Sequence, residues 1–479
     1  RKTMVKLFAL AAVLLTALLL PAAHAEEEKQ PLALREFSEV ESLFYRNPHL
    51  SGVADPFVFS ADGVYYMVAT TGGANFVGYQ TDSLAHWPPS ARFTAMRPAP
   101  WAGSDHWAPE VYEYNGRLCM FFSARGKGAK DYCRLGVAFA KKAGDRFICQ
   151  ETPLLDLGYT IIDASLLVDD DGTPYIFYSA NLNMGDHYES ITYGVEMQRD
   201  LSGMAGEPVK LIEATEPWET RTGQRVWAEG GVVQKHDGLY YLYYSCNVYS
   251  GKDYSVGVAT AKSPLGPYEK YAGNPILTYQ QAGDGSILVS GPGHNSFFTV
   301  GEETFSAYHT HCKPNDLPST RQLCYDRSGY HADGTAYICG PSLGWQLLPL
   351  ADLGRQNLAP LADAPAALTD GDTCVSASSR PYAWQGTQAD FVWASPAEAE
   401  LIQIYPAGYL GKGTLLVNGC YEAQLDFSAC RDVPGGSIIL PLAQPMALSS
   451  LRISLAEEGT LGEVVVLSTQ SGAKENKSR

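Results

Sequence analysis

Three acidic residues stand at comparable places in well-separated stretches of the chain: Asp55 in "SGVADPFVF", Asp163 in "TIIDASLLVDDDG" and Glu229 in "VWAEGGVV". Each lies inside an apolar segment, where a carboxyl group is costly to bury unless it is paired or put to use. Asp55 precedes the turn glycine Gly63 by 8 residues, while Asp163 and Glu229 precede Gly172 and Gly238 by 9. One acid in such a position ordinarily caps the backbone; three at nearly one offset predict a shared site. Acetal hydrolysis needs such a set, because an ionised carboxylate draws a proton from water while a protonated carboxyl releases the leaving oxygen. A third acid keeps the donor protonated, since like charges held close resist joint ionisation. Glu229 lies between Trp227 and Gly230-Gly231, where aromatic surface is at hand and the glycines let a substrate approach. Chemistry alone allows either Glu229 or Asp55 to be the proton donor, although Asp55 beside Pro56 has less apolar cover.

Acids so far apart in the chain need a repeating scaffold to meet. A turn ending in glycine followed by an aromatic strand recurs: "SADGVYYMVATT" (60–71), "EYNGRLCMFFSA" (113–124), "DDDGTPYIFYSA" (169–180) and "KHDGLYYLYYSC" (235–246). A degraded copy, "TVGEETFSAYHTH", occupies 299–311. Asn-Gly and Asp-Gly supply the positive φ angles of tight hairpins. The glycines Gly63, Gly116, Gly172, Gly238 and Gly301 lie roughly 50–65 residues apart, about the span of one four-stranded blade. The pattern predicts an all-β chain with a five-bladed β-propeller over 47–350. A β-sandwich of five irregular hairpins is the competing fold, and the regular spacing disfavours it. Short strands such as "ELIQIYPA" and "GEVVVLS" predict a second, smaller β-sandwich over 355–471. Residues 26–46 read as a lead-in, and 472–479 as a disordered tail.

The opening "RKTMVKLFALAAVLLTALLLPAAHA" combines a basic start, an apolar run and a small-x-small end, so residues 1–25 are expected to be a secretory signal peptide. An uncleaved anchor is opposed by the shortness of that run. The formal net charge is −17, and about −20 without residues 1–25. Such a surface disfavours nucleic acid and anionic membranes and suits a neutral substrate. The ten cysteines include no C-x-x-C pair. Export permits disulfides, whereas Cys119, Cys133, Cys149, Cys246 and Cys339 sit in strand-like runs that equally suit buried free thiols.

The stretches "ADPFVFSADGVYYMVATT", "HWAPEVYEYNGRLCMFFSA", "IIDASLLVDDDGTPYIFYSA", "WAEGGVVQKHDGLYYLYYS", "GPGHNSFF" and "RQLCYDR" together resemble family 43 glycoside hydrolases, five-bladed propellers that include α-L-arabinofuranosidases and β-xylosidases. The resemblance implies Asp55 as general base, Asp163 as the acid that tunes and orients, and Glu229 as general acid, with inversion at the anomeric carbon. It further implies that His294 contacts substrate or, through water, a structural calcium, and that Arg321 bonds sugar hydroxyls. No cofactor is required for the reaction itself. Trp107 and Trp227 are candidate stacking surfaces for a sugar, with buried packing the alternative for both; Phe76, just past the first hairpin, is a further candidate. Glu110, in "HWAPEV", is set aside from the chemistry. The second domain resembles discoidin-type modules. It lacks the tryptophan expected after "DGDT", which leaves a carbohydrate-binding and a purely structural role both open.

These readings make the chain an exported, monomeric hydrolase of arabinose- or xylose-containing glycans, with α-L-arabinofuranosidase ahead of β-xylosidase and other activities of the family. A propeller lectin that binds glycans without cleaving them is the competing class.

Overall fold

The structure is a computed structural model and describes residues 29–128, 131–223 and 225–471. The expected leader (1–25) and tail (472–479) lie outside those residues. No helix among the described residues is long and apolar enough to cross a membrane.

Five four-stranded sheets follow one another along the chain. Blade 1 comprises Ala54–Ala61, Val64–Thr70, Phe76–Thr81 and Arg92–Met96; blade 2 comprises Ala102–Tyr114, Arg117–Gly126, Cys133–Ala140 and Ile148–Cys149. Blade 3 is built from Ile161–Val168, Pro174–Asn183, Tyr188–Glu196 and Val209–Ile212. Blade 4 is built from Arg225–His236, Leu239–Cys246, Ser255–Ala261 and Glu269–Lys270. Gly293–Val300, Glu303–His311, Arg321–Tyr330 and Ala336–Ile338 make blade 5. The first hairpin of blades 1, 2 and 4 turns on Asp62-Gly63, Asn115-Gly116 and Asp237-Gly238, with both residues of each pair at positive φ, as a twist-matched two-residue turn requires. Blades 3 and 4 are also joined edge to edge, because residues 188–190 pair in parallel with 225–227. The chain is thus a five-bladed β-propeller carrying a second β domain.

The first strand of every blade breaks register at the same level: between Ala54 and Phe57, Trp107 and Glu110, Ile162 and Ser165, Glu229 and Val232, and Gly293 and Ser296. Each break opens with a left-handed residue, namely Asp55, Ala108, Asp163, Gly230 and His294, at φ between 49° and 62°. Outside glycine this conformation costs about 1–3 kcal/mol, and Asp and His tolerate it better than most residues. The bulges correct the expected register of the three acids. Asp55 and Asp163 are structural equivalents, whereas Glu229 stands one residue earlier, ahead of Gly230. Its 9-residue offset matches that of Asp163 only because the Asp169–Gly172 turn of blade 3 is longer than the two-residue turns elsewhere.

In the second domain, residues 401–404 lie between 438–441 and 464–467, and 388–392 lie against 450–454. Lys412–Val417 pairs with both Tyr421–Asp426 and residues 451–455. Phe391, Leu415, Ile453 and Val464 are fully buried between these layers. The segment expected to be a simple lead-in belongs partly to this sandwich, since Gln30–Pro31 runs parallel to residues 421–422 as its edge. Phe44–Tyr45 then pairs with Gln346–Leu347. Val40, Phe44, Leu347, Leu401 and Leu467 form one apolar cluster between the two domains.

His331 of blade 5 clasps the same junction. Its Nδ1 lies 3.3 Å from Asp370 and its Nε2 3.0 Å from Asp372, while its ring stacks on Tyr382 at 3.7 Å. Burial alone would lower its pKa, but the bonds to Asp370 and Asp372 outweigh burial and push it up to about 9. A folded-state pKa above the unfolded value of about 6.5 means that the clasp is fully stabilising below pH ~6.5 and is lost as pH rises through about 9. The melting temperature of the wild type should therefore exceed that of His331→Gln most at pH 6, with the gap closing towards pH 9–10. A gap that does not change with pH would show that the imidazolium contributes nothing.

Candidate active site

The bulges converge on a pit of about 320 Å³ lined by Asp55, Asp163, Glu229, His294, Arg321, Trp107 and Trp227. Seven of the eight residues expected at a site thus meet. Phe76 does not: it is fully buried, packed edge-on against His106 and Phe122 at 5.9 and 5.6 Å. It opens the third strand of blade 1, where it faces blade 2 rather than the axis, and a solvent-free position there rewards an aromatic simply as packing. Tyr249, Tyr254, Arg225, Asn181 and Thr70 also line the pit and escaped the sequence reading. Tyr254 immediately precedes the small-residue strand Ser255–Ala261, a position that could have marked it. Tyr249, in the loop between the second and third strands of blade 4, carries no such signal.

Asp55 is the charged member of the acid set. Its Oδ2 accepts the Thr70 hydroxyl at 2.6 Å, and its Oδ1 lies 3.2 Å from His294 Nδ1 and 3.5 Å from an Arg321 guanidinium nitrogen. Burial would raise its pKa, but His294 and Arg321 hold it well below the usual carboxylate range. His309 contributes differently: its Nδ1 accepts the Asp55 backbone N–H at 3.1 Å, so that nitrogen has no proton to give the carboxylate. Burial lowers the His309 pKa to about 3, and the neutral ring stacks on Tyr254.

Glu229 behaves oppositely. It is 7% exposed, and among the described residues its one side-chain partner is the Tyr254 hydroxyl, 3.0 Å from Oε1. Burial first, and then the charge of Asp163, push its pKa up to about 8. Asp163 accepts the Gly230 N–H at 3.2 Å and the Ser179 hydroxyl at 3.4 Å. Burial raises its pKa too, while His294 and these donors favour its anion, so the proton of the pair belongs on Glu229. The His294 pKa would be lowered by burial but is raised by the surrounding carboxyls of Asp55, Asp163, Glu110 and Glu229. Glu110, set aside on sequence grounds, is buried, accepts the Tyr112 hydroxyl, and is pushed up to about 7 by burial.

The glycines after Glu229 serve the protein rather than a substrate. A Cβ on Gly230 would meet the His294 ring at 3.1 Å, and one on Gly231 would meet Thr192 at 2.9 Å. The side wall of the pit is a layered stack. Arg225 lies over Trp227 at 5.7 Å, Trp227 stacks on Tyr249 at 6.1 Å, and Arg321 covers Tyr249 at 4.7 Å.

A calcium held by protein ligands does not fit these residues. Among the described residues no group of three or more His, Cys, Asp or Glu is arranged to hold a metal, and the Nδ1 of His294 is turned onto Asp55. All ten cysteines are free, with Cys119, Cys133, Cys246 and Cys339 buried.

Comparison with known proteins bears on what such a pit does. The model of the family described as glycosyl hydrolases family 43 matches residues 45–336. A protein of Bacteroides ovatus named xylosidase/arabinosidase is 27% identical over 259 residues, covering 49% of this chain and 73% of the relative. An extracellular exo-α-(1→5)-L-arabinofuranosidase of Cellvibrio japonicus is 23% identical over 288 residues, covering 54% of this chain and 79% of its own. The crystal structure of a thermostable family-43 glycoside hydrolase is 36% identical at a TM-score of 0.59, covering 64% of this chain and 99% of its own.

The contact between Gly230 and His294 is open to direct test. Gly230→Ala should lower stability by about 1–2 kcal/mol, since a side chain is strained at its φ of +60°. It should also displace the imidazole from Asp55, so that the His294 pKa measured by NMR falls. Unchanged urea unfolding together with an unchanged His294 titration would refute the contact.

Proposed function

The chain belongs to family 43 of the glycosyl hydrolases, and we propose that it removes terminal α-L-arabinofuranosyl residues from plant-type polysaccharides or oligosaccharides, with inversion. The observation that carries the reading is the contrast between two carboxyl groups facing one pit. Asp55 is bonded to Thr70 and flanked by His294 and Arg321, which favours its anion. Glu229 is buried against the Tyr254 hydroxyl near Asp163, which favours its protonated form. The names of the Bacteroides and Cellvibrio relatives support a pentose substrate; the first name equally suits β-xylosidase, the second reading. A binding-only lectin would have no use for a carboxyl held protonated at neutral pH. Export belongs to the same proposal and rests on the leader-like pattern of residues 1–25.

In this mechanism Asp55 Oδ takes a proton from a water that attacks the anomeric carbon. Thr70 and Arg321 fix the carboxylate so that its free lone pair faces that water. Glu229 gives its proton to the departing glycosidic oxygen on the opposite face. The water adds on one side as the leaving group departs on the other, which inverts the centre and calls for carboxyl groups roughly 6.5–9.5 Å apart. Asp163 maintains the Glu229 proton before the reaction, and its own charge is steadied by the Gly230 N–H and by His294. Afterwards Glu229 regains a proton from solvent and Asp55 releases one.

Glu229→Gln and Asp55→Asn should each lower kcat on nitrophenyl α-L-arabinofuranoside by about 10²–10⁴-fold, with folding intact by circular dichroism. NMR of the released sugar should show the inverted anomer first; the retained anomer appearing first would overturn the mechanism. Comparison with nitrophenyl β-xyloside decides between the two pentosidase readings, and sugar binding without turnover by the wild type would favour the lectin.

The rate should also fall as pH rises through about 8, where Glu229 loses its proton. The acid limb should lie below the ordinary carboxylate range because Asp55 stays ionised. A rate that does not decline by pH 9 would remove Glu229 as the donor.

A further inference from the structure

The layered wall of the pit has two cationic ends, and only one of them is neutralised. Arg321, at the end beside Asp55, is ion-paired with that carboxylate. Arg225, at the end beside Glu229, has no carboxylate within ion-pair distance among the described residues, although it lines the pit and lies over the Trp227 ring. The nearby acids are engaged elsewhere. Glu189 is bonded to His187 at 2.8 Å, and it pairs in register with Val226, which places it on the other face of the sheet from Arg225. Asp253 is held by Lys252 at 2.8 Å and by Arg221 at 3.5 Å. In a chain of formal charge −17, a rim arginine that finds no acid is an unmet electrostatic demand.

Direction matters as much as charge. Arg225, Trp227 and Glu229 alternate along one strand and share one face ahead of the bulge. The departing glycosidic oxygen must lie at Glu229, so the part of the substrate beyond it extends along this strand towards Arg225. There the parallel seam sets the exposed Tyr188 directly beside Arg225, widening the ledge. Trp227 lines the pit between Arg225 and Tyr249, and the Arg225 guanidinium fork can meet a carboxylate edge-on, a geometry that lysine does not reproduce.

We infer that Trp227, Arg225 and Tyr188 form a leaving-group subsite that selects glycans bearing a uronic acid next to the cleaved sugar. The inference rests on the proposed glycosidase reading for which side of the pit the leaving group occupies. Arg225 is thus a specificity-determining residue rather than a catalytic one.

The test compares two disaccharides that differ only in one carboxylate, arabinofuranosyl-galacturonate and arabinofuranosyl-galactose. The wild type should favour the acidic one by about tenfold in kcat/KM, as expected for a hydrogen-bonded charge pair. The ratio should fall to near one in Arg225→Ala, recover in part in Arg225→Lys, and shrink with added salt only when Arg225 is present. Because the readout is a ratio, a general loss of activity does not mimic it. A wild-type ratio of one or less, or a ratio unchanged in Arg225→Ala, overturns the inference. If no arabinofuranoside or xyloside is turned over at all, the function reading fails instead. Calorimetric titration of galacturonate against galactose into the intact Glu229→Gln protein still decides the subsite: preferential binding of galacturonate that depends on Arg225 upholds it, and equal or absent binding rejects it.

Discussion

A left-handed bulge breaks the first strand of all five blades, and the backbone N–H it exposes must find an acceptor. Three times the acceptor comes from the second strand of the preceding blade. Ala108 N–H donates to the Thr70 hydroxyl, His294 N–H to the Ser245 hydroxyl, and Asp55 N–H to His309 Nδ1. Blades 1 and 2, 4 and 5, and 5 and 1 are thereby bonded around the axis at one level. In blade 3 the same position holds Asp163, whose side chain accepts the bulge N–H of blade 4. The bonds that join four of the five blade junctions at this level are therefore also the ones that position Asp55 and Asp163. A change of bulge geometry in one blade is felt by the functional group of the next.

On that frame the charges separate by environment rather than by residue type. Asp55 is surrounded by donors and cations, and it stays ionised despite burial. Glu229 has a phenol, apolar cover and a neighbouring acid, and it keeps its proton. Cys324, buried with the Thr310 hydroxyl beside it, shows the same desolvation logic, burial pushing its thiol well above its usual range. His294 makes the division possible by placing one imidazole among four carboxyl groups from the other four blades. The left-handed glycine that follows Glu229 leaves just enough room for that ring.

Much of this was legible in the sequence because hairpin chemistry is local. Asp-Gly and Asn-Gly turns announced the blades, and acids inside apolar runs announced the pit. The register of Glu229 was misread because a count of residues to the turn glycine cannot distinguish a shifted bulge from a longer turn. Phe76 was misplaced because an aromatic just past a hairpin suits a stacking platform and a blade-to-blade contact equally well. Tyr249 stayed hidden because its neighbours Trp227 and Arg321 lie far along the chain. Arg225 stands two residues before Trp227 on one strand, so the period-two rule could have paired them. The short edge strand at residues 30–31 was missed because two residues show no periodicity.

That edge strand has a consequence for how the molecule is organised. The chain contributes Gln30–Pro31 to the sandwich, crosses to run residues 49–52 beside 321–323 of blade 5, circles the ring, and returns to finish the sandwich. The propeller is therefore an insertion into the smaller module rather than a bead strung before it. Its seam is held shut by segments on both sides of that insertion. Recombination at a single crossover near residue 350 would tear Gln30–Pro31 from the rest of the sandwich and strip Leu401 and Leu467 from the apolar cluster they share with Val40, Phe44 and Leu347, so this catalytic unit is portable between genes only when both flanks travel with it.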